Sequence, residues 1–350
     1  MRNNKLVQNY ILGSGSLNQL RSILDLKLVK GFHAIFLIDH FFKENFEFLS
    51  NRIDFSENDK ILFVDTSEEP KTEYIDILTS SIKNNYKPQI IIGIGGGSAM
   101  DIAKAISILL TNQGKAEDYQ GWDLVNRKSL YKIGIPSISG TGAEFTRTAV
   151  MTSPSKKLGI NSDESVFDQV ILDPDILKTV PNDKFIYTAM DCFVHNVESL
   201  RGSQNDSLTI AFAEKSLEML KDIFIGDMNY EKLMVSSSLG GIAIANSNVG
   251  ICHPLSYGLS LVLGLSHGFA ICIAFNQLQE YYPEVIVFKK VLKKYNIILP
   301  KVIDKNVSEE MINKMADATL LNERPLENAF GTNWKNIFTK EIVIDLIRKM

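Results

Sequence analysis

Short apolar runs alternate with stretches of helical spacing through the first half of the chain. HAIFLID (33–39) and KILFVD (60–65) each close on an aspartate. QIIIGIGGG (89–97) runs into three glycines, and KIGIPSISGTGAE (132–144) enters a second glycine-rich turn. Between them, EYIDILTSSIKNN (73–85) and SAMDIAKAISILLT (98–111) carry apolar residues at helical spacing, the second with Ser98 at its start. Short apolar strands separated by helices predict a parallel α/β sheet. After VILDPDILKTVPND (170–183) the texture changes. FIYTAMDCFVHNVESL, SLTIAFAEKSLEMLKDIF, EKLMVSSSLGGIAIANSNVG and CHPLSYGLSLVLGLSHGFA all read as helices, so the C-terminal half is expected to be all-helical. ERPLENAFGTNWKNIFTKEIVIDLIRKM reads as a loop followed by a terminal helix. The change of texture, with Pro174 and Pro181, places a boundary near residues 174–182. It predicts an α/β domain over 1–178 and a helical domain over 179–350.

The totals agree with two domains and exclude some functions. A chain of 350 residues with 45% hydrophobic content can bury two cores. With 37 basic and 41 acidic residues the net charge is -4, which leaves no electrostatic footprint for nucleic acid or an anionic membrane. Cys192, Cys252 and Cys272 form no CxxC pair, which suits a reducing, cytoplasmic setting. The first twenty residues lack the apolar core of a signal peptide. GLSLVLGLSHGFAICIAF (258–275) is apolar, but glycine and His267 interrupt it, so a buried helix pair is expected rather than a membrane span.

The first candidate chemistry lies in GIGGGSAMDIAKA (93–105), between a strand and a helix. Glycines there allow close backbone approach, and the following helix offers free N–H groups and the positive end of its dipole. A pyrophosphate would fit; a purely structural turn would also use such a triplet. The contiguous glycines differ from the Rossmann GxGxxG, and no Gly-Lys-Ser/Thr ending marks a Walker loop. Asp101 and Lys104 in the first turns of the helix favour a ligand. Asp39, at the end of the first strand, could accept a hydrogen bond from a ribose 2′-hydroxyl and would repel a 2′-phosphate, which favours NAD over NADP.

The second candidate is a set of histidines. MDCFVHNVESL (190–200) puts Asp191 and His195 four apart, on one helix face. Alone, that pair is an ordinary helix contact. His253 and His267 bring to three the histidines in apolar helical context, out of five in the chain. Burying three imidazoles and a carboxylate together is costly unless they share a purpose, and a divalent metal held by Asp191, His195, His253 and His267 supplies one. His33 and His40 flank the first strand and are expected at its ends. Cys192 and Cys252 adjoin these residues in sequence but point elsewhere on a helix, as core.

GGGSAMDIAKA, PSISGTGAEFTRTAV, MDCFVHNVESL, and CHPLSYG followed by SHG resemble the iron-containing, group III alcohol dehydrogenases, in that family's order and over nearly the whole chain. The resemblance implies a Rossmann-like dinucleotide-binding domain and a helical domain of the dehydroquinate synthase-like fold. It implies Asp191, His195, His253 and His267 as ligands of a divalent metal, Fe2+ or Zn2+. Asp39, Gly96, Gly97, Ser98, Asp101, Ser137, Thr146 and Lys157 would bind NAD, and the protein would be a homodimer. The metal would lower the pKa of an alcohol hydroxyl, and the nicotinamide would take the hydride.

Two departures stand out. EEPKT puts Glu69 where the family usually has asparagine, and Phe167 replaces a family proline. DYQGWDLV, NSDESVFDQVILDP and HPLSYGLS resemble the branch that oxidises the C8 hydroxyl of 3-deoxy-manno-octulosonate (Kdo) for an 8-amino sugar of lipopolysaccharide. Tyr257 would touch the substrate, and Trp122, Arg147 and Tyr257 suit a hydroxylated acid. The alternatives are a dehydrogenase of a small polyol or alkanol (propanediol, glycerol, butanol), a dehydroquinate-synthase-like sugar-phosphate cyclase, and a nucleotide sensor with a structural metal.

Overall fold

The structure, a computed structural model, describes residues 5–179, 182–304 and 306–350. The chain divides into two compact units, Met1–Val180 and Pro181–Met350. Pro174 opens a short helical turn, whereas Pro181 lies outside the described residues.

The first unit carries strands β1 (Asn9–Leu12), β2 (His33–Asp39), β3 (Asp59–Val64), β4 (Pro88–Gly95), β5 (Gly121–Trp122), β6 (Tyr131–Pro136), β7 (Thr148–Thr152), β8 (Lys157–Asn161) and β9 (Gln169–Leu172). Its helices are α1 (Leu20–Lys27), α2 (Phe46–Ser50), α3 (Thr72–Asn85) and α4 (Gly97–Leu109). Six strands form one parallel sheet in the order β1-β9-β6-β4-β2-β3. The interior of β2, Ala34 to Ile38, is buried at every position, as expected of a strand covered on both faces. The crossovers through α3 and α4 are what parallel neighbours require. His33 and His40 fall at the two ends of β2, as the sequence suggested.

A second sheet, ordered β5-β8-β7, was not apparent in the sequence. There β7 and β8 pair antiparallel, from Thr148 opposite Asn161 to Thr152 opposite Lys157. These strands are short, and the polar residues 153–156 that join them carry no glycine signature of a tight hairpin.

Lys104 fastens this second sheet to α4. Its ammonium is fully buried and donates to Ala143 O at 2.5 Å, Thr146 Oγ1 at 3.0 Å, Thr146 O at 3.2 Å and Thr148 O at 2.7 Å. It also lies 5.5 Å from the centre of the Phe167 ring, which packs beneath this charge. Burial lowers the Lys104 pKa, opposed by the Asp101 and Glu144 carboxylates, while burial raises that of Asp101.

Among its described residues the second unit contains only helices: α5 (Asn182–Arg201), α6 (Ser207–Ile225), α7 (Tyr230–Ser247), α8 (Cys252–Leu263), α9 (His267–Asn276), α10 (Val285–Lys294), α11 (Glu309–Leu320), α12 (Glu323–Phe330), α13 (Trp334–Ile337) and α14 (Lys340–Arg348). The expected loop at 323–337 is therefore corrected to two helices, α12 and α13. Pro325 falls within the first turn of α12, where its missing N–H costs no helical hydrogen bond. Helix α5 packs against α6, α7 and α9, and α8 against α9 and α11. Ser216 and Ser236 each donate their hydroxyl to the other's carbonyl across α6 and α7, at 2.8 and 3.0 Å. Asn196 of α5 donates to the same Ser216 hydroxyl at 2.7 Å. All three cysteines are buried and free. No helix among the described residues is long and apolar enough to cross a membrane.

Lys104→Met should remove the donor shared by three carbonyls, of which Ala143 O keeps the Thr146 N–H. Unmet buried acceptors cost about 1–3 kcal/mol each before relaxation, and a net loss of about 2–4 kcal/mol is expected. A thermal melt lowered by several degrees would show it; an unchanged melt would mean that the carbonyls find other donors.

Candidate metal centre and dinucleotide turn

Three helices of the second unit bring acid and imidazole together. Asp191 and His195 lie on α5, His253 in the first turn of α8, and His267 at the start of α9. Local sequence sets these positions. Pro254 sits in the first turn of α8, where no helical N–H is required. Gly264, in the left-handed region at φ 68°, ends α8, and α9 starts at His267. Gly268 then lets α9 approach α5, because a Cβ there would lie 3.2 Å from the carbonyl oxygen of Tyr187, one turn before Asp191.

The result is a carboxylate ringed by imidazoles. Asp191 Oδ1 is 3.4 Å from His253 Nε2 and 3.7 Å from His195 Nε2, and Asp191 Oδ2 is 3.6 Å from His267 Nε2. Donor atoms around a tetrahedral cation with bonds of about 2.0–2.1 Å stand roughly 3.3–3.5 Å apart, close to these spacings. Both Asp191 oxygens and His253 Nε2 are buried without a hydrogen-bond partner, an arrangement that a divalent cation would satisfy. Asp191, His253 and His267 each place a ligand atom within 4.8 Å of the others. His195 stands beside this group, its ring stacked on His253 with centroids 4.5 Å apart and planes 13° apart.

The electrostatics follow from burial and neighbours. Burial would raise the Asp191 carboxyl, but His195, His267 and His253 reverse that and hold it well below the usual carboxylate range. Burial lowers His195 to about 4, against the pull of Asp191. Burial also opposes charge on His253, yet Glu198 and Asp191 push it up to about 9.

Glu198 is the member of this centre that the sequence reading missed. It lies on α5, three residues after His195 and seven after Asp191, and so shares their face. The carboxylate is buried, with Oε2 2.5 Å from His253 Nδ1. The signal was present in D-x3-H-x2-E, but it needs the position of His253 on another helix to acquire meaning.

In the first unit, β4 delivers the chain to the glycine turn. Gly95 has φ 155°, and a Cβ on it would lie 2.5 Å from Ala99 Cβ and 2.8 Å from Asp39 Cβ. The turn therefore needs glycine, and it brings Asp39, at the end of β2, against the start of α4. Gly96 caps α4, and Gly97 and Ser98 open it, where the first N–H groups have no carbonyl within the helix. Ser137 leaves β6 alongside, its N–H donating to Gly95 O at 2.8 Å. A pyrophosphate fits such a helix start.

Asp39, Gly96, Gly97, Ser98 and Ser137 thus border one turn. The other three expected cofactor residues are buried and engaged with protein. Asp101 Oδ2 accepts from Val150 N–H at 3.0 Å, Thr146 Oγ1 accepts from Lys104, and Lys157 Nζ lies 3.0 Å from Glu69 Oε1. Glu69, where the family usually has asparagine, is therefore the ion-pair partner of Lys157.

The expected substrate-facing residues fall in both units, Tyr257 in the second and Trp122 and Arg147 in the first. The Tyr257 ring lies 6.0 Å from that of His267 and 6.3 Å from that of His253, beside the imidazole cluster. The Arg147 guanidinium pairs with Asp163 at 3.1 Å and with Asp123, both in the first unit. Trp122 forms part of β5, next to that Asp123.

The glycine turn at the start of α4 is a candidate dinucleotide site, and the buried Asp–His cluster a candidate metal site. The profile described as iron-containing alcohol dehydrogenase matches residues 8–174, and that described as the C-terminal part of the Fe-containing alcohol dehydrogenase family matches residues 185–320. The chain belongs to the iron-containing alcohol dehydrogenase family.

Among similar proteins, sulfoacetaldehyde reductase of Bilophila wadsworthia is 32% identical over 60% of this chain and 56% of its own length. The NAD-dependent methanol dehydrogenase of Bacillus methanolicus is 28% identical over 74% of this chain and 69% of its own, and the 4-hydroxybutyrate dehydrogenase of Clostridium kluyveri 28% identical over 77% and 75%. The chain thus spans little more than half the length of the first of these relatives. In fold, it is similar to a solved 1,3-propanediol oxidoreductase (TM-score 0.81, 19% identity, 100% of this chain and 99% of that one). It is equally similar to sulfoacetaldehyde reductase from Bifidobacterium kashiwanohense in complex with NAD+ (TM-score 0.81, 19% identity, 100% and 98%).

Asp191→Asn would replace the anionic centre of the cluster with a neutral amide. Bound zinc or cobalt is expected to weaken by more than about 100-fold, beyond the range typical of outer-shell changes. Competition with a chromophoric chelator measures it, and wild-type affinity in this variant would remove Asp191 from the ligand set.

Proposed function

We propose that this chain interconverts an alcohol and its carbonyl product, with NAD as hydride carrier and a divalent cation held by Asp191, His195, His253 and His267. The observation that carries this reading is Asp191, whose two buried oxygens meet imidazole nitrogens at 3.4–3.7 Å and no hydrogen-bond donor. Such a nitrogen and oxygen set accepts iron(II) or zinc. When bound, the cation supplies a Lewis acid that makes a nearby hydroxyl easier to deprotonate, and the nicotinamide accepts the hydride.

The chain's own residues do the placing. The α4 start and Ser137 would seat the pyrophosphate, and Asp39 would accept from a ribose hydroxyl, which favours NAD. The helices around the cluster bury Asp191, His195 and His253 and leave His267 partly open to solvent. Asp191 holds negative charge in a desolvated setting, and the His195 ring packs against His253 and steadies its plane.

For the substrate we propose the C8 hydroxyl of 3-deoxy-manno-octulosonate. Supporting it are the segments DYQGWDLV, NSDESVFDQVILDP and HPLSYGLS, and Tyr257, whose phenol beside the cluster could hydrogen-bond a sugar hydroxyl. Two of the similar proteins are named for substrates that carry an acidic group, sulfoacetaldehyde and 4-hydroxybutyrate. Arg147, already paired with Asp123 and Asp163, does not support this choice.

NADH absorbance during turnover tests both levels. Iron-loaded and zinc-loaded protein would be offered the sugar acid beside propanediol, glycerol and butanol, with His267→Ala as control. Metal-dependent NADH formation from the sugar acid is the expected result. Turnover of the small alcohols alone would discard the substrate and keep the activity. No NADH from any of them, with metal and NAD both bound, would sink the dehydrogenase reading and turn attention to the cyclase.

Tyr257→Phe should raise KM for the sugar acid by roughly 5- to 10-fold, the worth of one neutral hydrogen bond, and leave kcat near wild type. An unchanged KM would mean that the phenol only packs.

A further inference from the structure

Glu198 has three partners, and they lie on two other segments. Oε2 meets His253 Nδ1 at 2.5 Å. Oε1 accepts from the Cys252 N–H at 2.6 Å and from the Tyr282 hydroxyl at 3.2 Å. That hydroxyl in turn accepts from the Ile251 N–H at 3.2 Å. Glu198 is 1% exposed, so its carboxylate is bound by protein groups rather than by bulk water.

A carboxylate offers only acceptors. The hydrogen between Glu198 and His253 therefore sits on Nδ1, and a neutral His253 presents its lone pair at Nε2, the atom 3.4 Å from Asp191. The same carboxylate satisfies the first N–H of α8, which has no partner within that helix. One side chain thus fixes both the ring's tautomer and the start of the helix that carries it.

We propose that Glu198 is the positioning residue of the metal centre: it locks His253 with Nδ1 protonated and Nε2 turned to the cation, and so sets the centre's affinity. This rests on the reading that the cluster holds a divalent cation.

Glutamine is the informative replacement, being close in shape but carrying one acceptor and one donor. If its NH2 faces His253, the ring must take the other tautomer and lose Nε2 as a ligand. If the NH2 faces Cys252 N–H, two donors collide. Either way Glu198→Gln should weaken zinc and cobalt binding by about 10- to 100-fold, the range for a partner behind a ligating histidine. Glu198→Asp keeps two acceptors on a shorter stem and should recover part of that loss. Tyr282→Phe removes one partner of Oε1 but not the His253 contact, and should stay within about threefold of wild type, the worth of a weak hydrogen bond.

The test is metal affinity by chelator competition, with the visible absorption of cobalt-loaded protein as a second readout. Imidazole 15N shifts of the zinc-loaded wild type give a third readout that needs no variant. The expected results are weakened binding and an altered cobalt spectrum in Glu198→Gln, and Nδ1–H on His253 in the wild type. Wild-type affinity in Glu198→Gln, an equal loss in Tyr282→Phe, or a proton on Nε2 of metal-loaded His253 would each overturn the proposal. Wild-type protein that takes up neither zinc nor cobalt would sink the metal-dependent activity along with it. Binding by the wild type and equally by Glu198→Gln would sink this inference alone.

Discussion

A carboxylate removed from water must be matched by positive charge or by donors, and Asp191 is matched only by imidazoles. An unpaired buried ion costs several kcal/mol, so the surrounding helices cannot be placed independently of one another. The approach of α9 to α5, the start of α8 and the stacking of two rings all serve the same anion. Much of the helical unit is an apolar frame that holds this small polar cluster, with Asp191 at its buried centre and His267 at its open side.

The first unit contains a buried charge of the opposite kind. Lys104 is as deeply buried as Asp191, yet its ammonium meets four acceptors. A satisfied buried ion acts as a fastener, here joining α4 to the turn and strand that follow β6. An unsatisfied one keeps coordination capacity in reserve. Asp101 and Thr146 likewise meet protein partners, Val150 N–H and the Lys104 ammonium.

The sequence was most legible where periodicity or punctuation was strong. β2, β3, β4, β6, α3 and α4 fall within a residue or two of their apolar patterns; among the strands, the inner β2, β4 and β6 are buried along most of their length and so leave near-continuous apolar runs. The β7–β8 pair escaped because two five-residue strands joined by an ordinary polar loop lack a hairpin signature. Residues 323–337 read as loop because Pro325 and Gly331 look like breakers, although each sits where a helix tolerates it: in a first turn and just past an end. Arg147 looked available since its partners lie 16 and 24 positions away. Glu198 is the same difficulty in reverse: its role depends on a histidine 55 positions further along.

Asp191, His195 and Glu198 occupy a single line along α5. That economy makes the helix intolerant of changes in length. Inserting or deleting one residue between 191 and 198 would turn everything downstream by about 100°. It would turn Glu198 more than a quarter of the way round the helix, away from His253, while leaving every side chain chemically intact. Every residue from Asp191 to Glu198 is buried, so this stretch of α5 is constrained in its number of residues as well as in their kind.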